Sequence, residues 1–376
     1  MKPFLDYYGQ NAISPVAQDI SDIQRHFDRR RSLYRSLGLI PSFVEGRSVV
    51  EFGPGSGYNA IYTGSLKPGR YVLVDANPVG LNETRELLQK QFGNTLSYEM
   101  APSLIEDFET DERFDISICE GTIPFQLFPE EFTRKVASFC KPGGVVIITC
   151  AAAASCIGEI ARRLIASRIV AKDATLPEKL ALLRPVFAPH LAMMTNMSRS
   201  VDHWILDNII HPFIGKTFAI DAAIDALGDE FEVYGQSPQF IEDWRWYKDV
   251  WGAATEFNAR AKASYFRNIA NFLDYRIEVP PHSVELGERV SGLADSLYGL
   301  MQDYELRGID GAIGSACNKL LEIANAVATI SPITAESLRE AAGFVSGTSD
   351  DLRSFTSFES YFGRGQQYLS FIRRAS

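Results

Sequence analysis

Residues 48–57 read Ser48-Val49-Val50-Glu51-Phe52-Gly53-Pro54-Gly55-Ser56-Gly57. An apolar run ends in an acid, and three glycines follow at alternate positions. Glycine turns a chain tightly and lets a ligand touch bare backbone. A strand feeding such a turn, then a helix, is how α/β folds bind nucleotide-like ligands. The dinucleotide fingerprint G-x-G-x-x-G puts its last glycine where this chain has Tyr58; here the third glycine comes one residue earlier, at Gly57. The plain alternative is a glycine-rich turn that binds nothing. Asp75 closes the next apolar run, 20 residues after Gly55. A carboxylate there can accept both ribose hydroxyls of a nucleoside, with Ala76 and Asn77 beside it. Its alternative, and that of Asn77, is to cap a helix that opens at Pro78.

The pattern E-x-G-x-G-x-G over Glu51–Gly57, with Asp75 and the turn Pro142-Gly143-Gly144, resembles the class I S-adenosylmethionine-dependent methyltransferases. The specific likeness covers residues 48–150. It implies that the backbone of Gly53, Pro54, Gly55 and Gly57 holds the methionine part of the cofactor, that Glu51 lies near its amino group, and that Asp75 binds its ribose. Glu51 could equally satisfy loop amides. Adenine contacts would fall to Met100 and Ala101, although Glu99 precedes Met100 where the family places an acid after the strand. Cys119-Glu120-Gly121-Thr122 would end the fourth strand, and strand C-termini of an open sheet face the ligand crevice. Glu120, with Thr122, would lie where the sulfonium meets the acceptor. Glu120 would either orient the cofactor or take a proton from the acceptor; its alternative is an exposed Glu at a helix start. The segments Arg25–Gly38 and Ser237–Lys248 are loosely similar to a bacterial group of long class I methyltransferases with extra helical segments, a group linked to surface glycan or protein modification.

Methyl transfer from a sulfonium is a direct displacement, so alignment matters more than acid–base chemistry. A base is needed only for a protonated acceptor. An imidazole titrates in the right range for one, which makes His203 and His211 candidates, with His26 on a candidate lid; packed or surface histidines are the plain reading of each. Trp244, Tyr247 and Trp251 recur at helical spacing beside Asp243 and Arg245. They suit either a sugar-like or planar acceptor, or a helix docked by its aromatic face. No Ser-His-Asp order, H-E-x-x-H or kinase motif set is present. The readings are thus an active methyltransferase for a small-molecule or glycan-like acceptor, favoured over a protein acceptor; an inactive cofactor-binding partner protein; or an NAD-dependent oxidoreductase, disfavoured by Tyr58.

The elements that must position these residues read as an α/β, doubly wound, mostly parallel sheet with an N-terminal helical arm and an added helical region. Strands are predicted at 48–53, 71–76, 96–100, 114–120 and 145–150, and a sixth at 231–234. The resemblance implies seven strands ending in an antiparallel hairpin, and no seventh is placed. Helices are predicted at 60–65, 79–92 and 130–139. Before them, Ser14 and Pro15 signal a helix start and Gly38 its stop, with Val16, Ile20, Ile23, Phe27, Tyr34 and Leu37 at helical spacing. Pro142-Gly143-Gly144 reads as a turn before the fifth strand. Residues 156–228 look helical, broken by Pro177, Pro185, Pro189 and Pro212. Helices are expected at 241–276, 284–307, 311–330 and 334–343, with a loose end that includes Arg373 and Arg374. The domains so read are 1–46, a helical arm or lid; 47–240, the Rossmann-like core with an insertion at about 156–229; and 241–376, a helical region that could pack within a chain or across a homodimer.

The chain has 376 residues, 46% hydrophobic and 22% charged, with net charge −10. That balance argues against a general nucleic-acid binder, because phosphate binding needs a positive field. The basic run Arg25, Arg29, Arg30, Arg31 and Arg35 reads as the solvated face of a helix. Five cysteines without a C-x-x-C pair read as free thiols in a reducing cytoplasm, with no metal site. The start lacks the apolar run of a signal peptide, and no stretch is long enough to span a bilayer.

Overall fold

The computed structural model describes residues 18–348 and 354–375. Ser14, Pro15 and Val16 lie outside the described residues. Within these limits the chain divides into two compact units. One comprises Met1–Cys150, Phe218–Lys262 and Gln366–Ser376; the other comprises Ala151–Thr217 and Ala263–Gly365. The helical insertion and the helical tail therefore belong together, rather than to a core ending at 240 and a separate C-terminal region.

The first unit is built on a seven-stranded sheet in the order β3-β2-β1-β4-β5-β7-β6. The strands are β1 (Ser48–Phe52), β2 (Arg70–Asp75), β3 (Glu99–Pro102), β4 (Phe114–Cys119), β5 (Cys140–Cys150), β6 (Phe231–Ser237) and β7 (Gln367–Arg373). Strands β1 to β5 pair in parallel, and β7 runs antiparallel between β5 and β6. Val49, Val50, Phe52, Ile116, Ile118 and Val146–Ile148 are fully or almost fully buried. Parallel strands covered on both faces are apolar in runs rather than in alternation, which is why they are legible as strands.

The seventh strand is the chain's C-terminal segment, not a loose end. Its apolar stretch Tyr368-Leu369-Ser370-Phe371-Ile372 fills the slot between β5 and β6. Burying each of Leu369 and Phe371 contributes about 1.5–3 kcal/mol. The backbone amide of Arg374 also donates to Glu230, at 2.8 Å. Pro142-Gly143-Gly144 is a bulge inside β5 rather than a turn before it. The register passes from Phe114 opposite Cys140 to Ile116 opposite Val145, with Gly143 at φ 75°.

Helix α1 (Ile23–Ser36) starts at the Asp22 cap, whose side chain accepts from the amide of Arg25. Its stripe of Ile23, Phe27, Tyr34 and Leu37 joins the core formed by Ile61, Tyr62, Tyr71, Ile116 and Ile147. Helix α2 (Pro41–Val44) precedes β1, and α3 (Ala60–Ser65), α4 (Pro78–Phe92) and α5 (Pro129–Ser138) follow between the strands.

The stretch expected as a helix over 241–276 is α-helical only at Phe257–Arg267 and Ile269–Leu273, with short 3-10 turns at Tyr247–Asp249 and Gly252–Thr255. Upstream, side chains tie the backbone into an irregular path. Asp243 accepts from the Arg245 amide at 3.1 Å, Arg245 donates to the Ala254 carbonyl at 2.6 Å, and Arg260 donates to the Glu242 carbonyl at 2.7 Å.

The second unit is helical. It includes Leu176–Ala192, which runs through Pro185 and Pro189 instead of breaking there, and the long helices Val284–Arg307, Ala312–Val327 and Pro332–Ser346. Among the described residues, no helix is long and apolar enough to cross a membrane, and no group of three His, Cys, Asp or Glu could hold a metal ion.

Candidate cofactor site at the ends of the parallel strands

The turn after β1 is held from below and open above. Gly53, Gly55 and Gly57 all have positive φ, at 68°, 56° and 79°. A Cβ on Gly57 would come within 2.9 Å of the Thr84 backbone in α4, so this position must stay bare to let loop and helix meet. Thr84 in turn donates its hydroxyl to the Gly55 carbonyl at 2.7 Å. A Cβ on Gly55, by contrast, would meet nothing within 4 Å. Open space therefore lies beside the half-buried Gly55, whose amide and carbonyl are held by Asp75 and Thr84, and the hydroxyl of Thr122 lies against Gly53 on the β4 side.

Asp75 ends β2 beside this turn. One carboxylate oxygen accepts from the Gly55 amide at 3.1 Å, and the other from the Asn77 amide at 2.8 Å. Burial raises the Asp75 pKa, and these amides oppose the shift. Asn77 caps α4, its side chain accepting from the Val79 amide at 3.0 Å. Met100 and Ala101, both half-buried, lie in register beside Leu73 and Val74, so they flank the same end of β2 as Ala76. Glu99 points to other business: it pairs with Arg70 at 2.7 Å on the exposed surface.

Glu120 is placed by β4, whose last residue Cys119 pairs with Phe52. It is not an exposed Glu at a helix start. Arg30 from α1 donates to both its oxygens, at 2.8 and 2.7 Å, and Asn59 donates a third hydrogen bond at 3.0 Å. The Arg30 and Glu120 side chains are only 7% and 5% exposed. Arg30 thus leaves the solvated basic face to which Arg25, Arg29, Arg31 and Arg35, all exposed, belong. Its Nε is buried without a partner among the described residues.

Glu51, on β1, is buried and accepts from the Tyr71 hydroxyl. Burial first, and the charge of Glu120 second, push its pKa up to about 7, against the pull of Tyr71 and Arg30. His26, one turn before Arg30, has Nε2 at 2.6 Å from the Tyr58 carbonyl. A carbonyl only accepts, so Nε2 carries the proton, and burial lowers the ring's pKa.

His203 and His211 belong to the second unit. His211 is buried, and burial with the nearby Arg163 charge depresses its pKa to about 4. Residues absent from the sequence reading as site components are Arg30, Asn59, Tyr71 and Thr84. For Arg30 the signal was available: it lies four residues after His26 and four before Tyr34, on the inward stripe of α1.

Residues 50–148 match the family model described as a methyltransferase domain. The matched segment is a methyltransferase domain of Rossmann-like fold. The methyltransferase domain is similar to several solved structures. One is the N-methyltransferase NodS from Bradyrhizobium japonicum WM9 in complex with S-adenosyl-L-homocysteine, at 17% identity over 42% of this chain and 77% of that one, TM-score 0.33. Another is a S-adenosylmethionine-dependent methyltransferase from Clostridium acetobutylicum ATCC 824, at 14% identity over 40% and 56%, TM-score 0.29. A third is magnesium protoporphyrin IX methyltransferase (ChlM) from Synechocystis PCC 6803 with bound SAM, at 13% identity over 40% and 69%, TM-score 0.30. The chain spans about half the length of several such structures, 44%, 54% and 56% in three of them. No curated protein matches the chain.

Proposed function

We propose that this protein transfers the methyl group of S-adenosylmethionine by direct displacement onto a small-molecule or glycan-like acceptor. The observation that carries the reading is the Gly53–Gly57 turn, pinned by Thr84 yet open at Gly55, with the Asp75 carboxylate bonded to the same glycine's amide. When bound, the cofactor supplies a methyl group already activated on a sulfonium. Gly53, Pro54, Gly55 and Gly57 would then hold its methionine part, Asp75 its ribose, and Met100 and Ala101 its adenine. Ala76 and Thr122 would line the same space. Asn77 would contribute by fixing the start of α4 rather than by direct contact, since its side chain is used in the cap. Alignment of this kind can lower a barrier by roughly 7–11 kcal/mol.

Glu51 and Glu120 supply two buried carboxylates against one guanidinium, which favours the positive end of the donor. Glu120 accepts three hydrogen bonds already, so its role is to orient rather than to take a proton.

The acceptor class is supported by the segment after β6. That strand is antiparallel to β7, which is antiparallel to β5. Its end at Ser237 therefore opens on the same sheet edge as Gly53, Asp75 and Glu120. Trp244, Trp246, Tyr247 and Trp251 follow there, from 61% to 90% exposed. Asp243 pairs with both Arg245 and Arg260, and Lys248 lies over the Trp246 and Tyr247 rings, 5.0 and 5.9 Å from their centres. Exposed rings of this kind suit a planar or sugar-like acceptor.

The test is calorimetric titration with S-adenosylmethionine and S-adenosylhomocysteine, followed by transfer of labelled methyl to panels of small molecules, oligosaccharides and peptides. Ligand at 100 times its Kd should add about 2.7 kcal/mol of stability. No binding of either compound overturns the reading. Labelling of peptides alone overturns the acceptor class.

A further inference from the structure

Helix α1 does more than cover the sheet. Along one face, in successive turns, it presents His26, Arg30 and Tyr34 to three parts of the region just described. His26 reaches the carbonyl of Tyr58, the residue after Gly57, at 2.6 Å. Arg30 grips Glu120 at the end of β4, and through Glu120 is joined to Asn59, which leads into α3. Tyr34 shares a hydrogen bond of 2.7 Å with Thr63 inside α3 and lies under the Arg30 guanidinium, 5.2 Å from it. Phe27 meets the Tyr62 ring edge-on, at 5.5 Å.

The glycine turn and the end of β4 are carried on neighbouring strands and share no covalent link for 60 residues of chain. The ladder between Phe52 and Cys119 stops at the strand ends. Beyond it, Asn59 donates directly to Glu120 and Thr122 lies against Gly53, while Arg30 holds both oxygens of Glu120 from α1 and so sets the direction of the carboxylate. A planar fork of this kind fixes direction as well as distance, which a lysine ammonium does not.

We infer that Arg30 is a positioning residue for the cofactor, and that α1 is an integral wall of the donor site whose closure Arg30 completes by setting the Glu120 carboxylate against the glycine turn. The inference rests on the S-adenosylmethionine reading above. Arg30 acts through Glu120 and takes no part in the displacement. The consequence is that donor affinity depends on a residue outside the matched segment 50–148.

The test compares S-adenosylhomocysteine binding and amide hydrogen exchange in three forms of the full chain: wild type, Arg30→Lys, and the double variant Arg30→Met with Glu120→Gln. The double variant removes both charges at similar volume, so no buried charge is left unpaired. Expected is a loss of about tenfold or more in affinity for the double variant and a smaller loss for Arg30→Lys. Bound S-adenosylhomocysteine should slow exchange in residues 23–36 of the wild type and fail to do so in the double variant. A purely structural role would not move that ligand-dependent protection. Wild-type affinity and protection in the double variant overturn the inference while leaving the cofactor reading intact. Should the double variant not fold, Arg30→Lys with unchanged affinity and protection has the same force. Absence of binding in the wild type overturns the cofactor reading, and the inference with it.

Discussion

Arg30 and Glu120 are 90 residues apart in the chain and meet through two parallel hydrogen bonds of 2.8 and 2.7 Å, with both side chains buried. The pair joins the first helix to the fourth strand at the sheet edge where the glycine turn opens. It also decides how Glu120 can act: its carboxylate already accepts three hydrogen bonds from a guanidinium and an amide, which fix its direction.

The energetics of that pair are asymmetric. Removing one partner strands a buried charge and costs about 3–5 kcal/mol, whereas removing both charges together is often close to neutral. Arg30→Ala should therefore lower the unfolding free energy by several kcal/mol in urea titrations. Arg30→Met with Glu120→Gln should lie much nearer the wild type. Equal destabilisation by the single and double changes would show that the pair is held up by its surroundings and not by its own charges.

The glycines of the turn should separate stability from binding. Gly57→Ala forces a Cβ to within 2.9 Å of the Thr84 backbone at φ 79°, so loop and α4 must part. Left-handed backbone alone costs an alanine about 1–2 kcal/mol, and the clash adds to it. Gly55→Ala carries the backbone term without the clash, because its Cβ points into open space. Thermal melts should rank Gly57→Ala as the less stable, while Gly55→Ala loses cofactor affinity out of proportion to its stability. The reverse ranking would refute the open-face assignment.

Asp75 accepts from the amides of Gly55 and Asn77. Asp75→Asn keeps the size and one acceptor oxygen but introduces a donor amide where two backbone amides point. The turn should loosen and cofactor affinity fall by about tenfold or more. S-adenosylhomocysteine titration checks this, and an unchanged Kd would remove Asp75 from the ribose role.

How much of this was legible in the sequence follows from how local each signal is. The glycine turn, Asp75 and strands β1, β2 and β4 announce themselves within a few residues, because continuous apolar runs and positive-φ positions are local properties. Strand β7 is equally apolar, but its partners β5 and β6 lie more than 100 residues upstream, so no hairpin spacing marked it. Arg30 was assigned to the solvated face by composition, among five arginines in eleven residues, when its helical phase with His26 and Tyr34 put it inside. The aromatic segment after β6 shows the opposite error. Trp244, Tyr247 and Trp251 keep a helical spacing without a helix, because Asp243, Arg245 and Arg260 bind backbone there and hold another path.

The position of β7 makes the C-terminal residues indispensable. Removing the chain from Gln367 onward would leave β5 and β6 without their shared neighbour and expose two strand edges at once. The shortened protein should be recovered mostly as aggregate, and any soluble part should lack a cooperative melt. A soluble form with a wild-type melt would mean that the remaining strands re-pair directly.

The final prediction concerns Glu51, which burial and the Glu120 charge hold at a pKa of about 7 against an ordinary value of 4.5. Between these values the folded chain keeps a proton that the unfolded chain releases. The unfolded state then binds fewer protons, and the stability contribution falls as pH rises. It is fully present below about 4.5 and lost by about 7. Its slope within that window is at most about 1.4 kcal/mol per pH unit. Glu51→Gln should flatten this part of the stability curve. The cofactor acts in the opposite direction. A cationic donor favours the ionised carboxylate, so binding should release a proton from Glu51, and affinity for S-adenosylmethionine should rise as pH climbs through about 7. Calorimetry in buffers of different ionisation heat measures that proton directly. Proton release that persists in Glu51→Gln would assign the titration to another group.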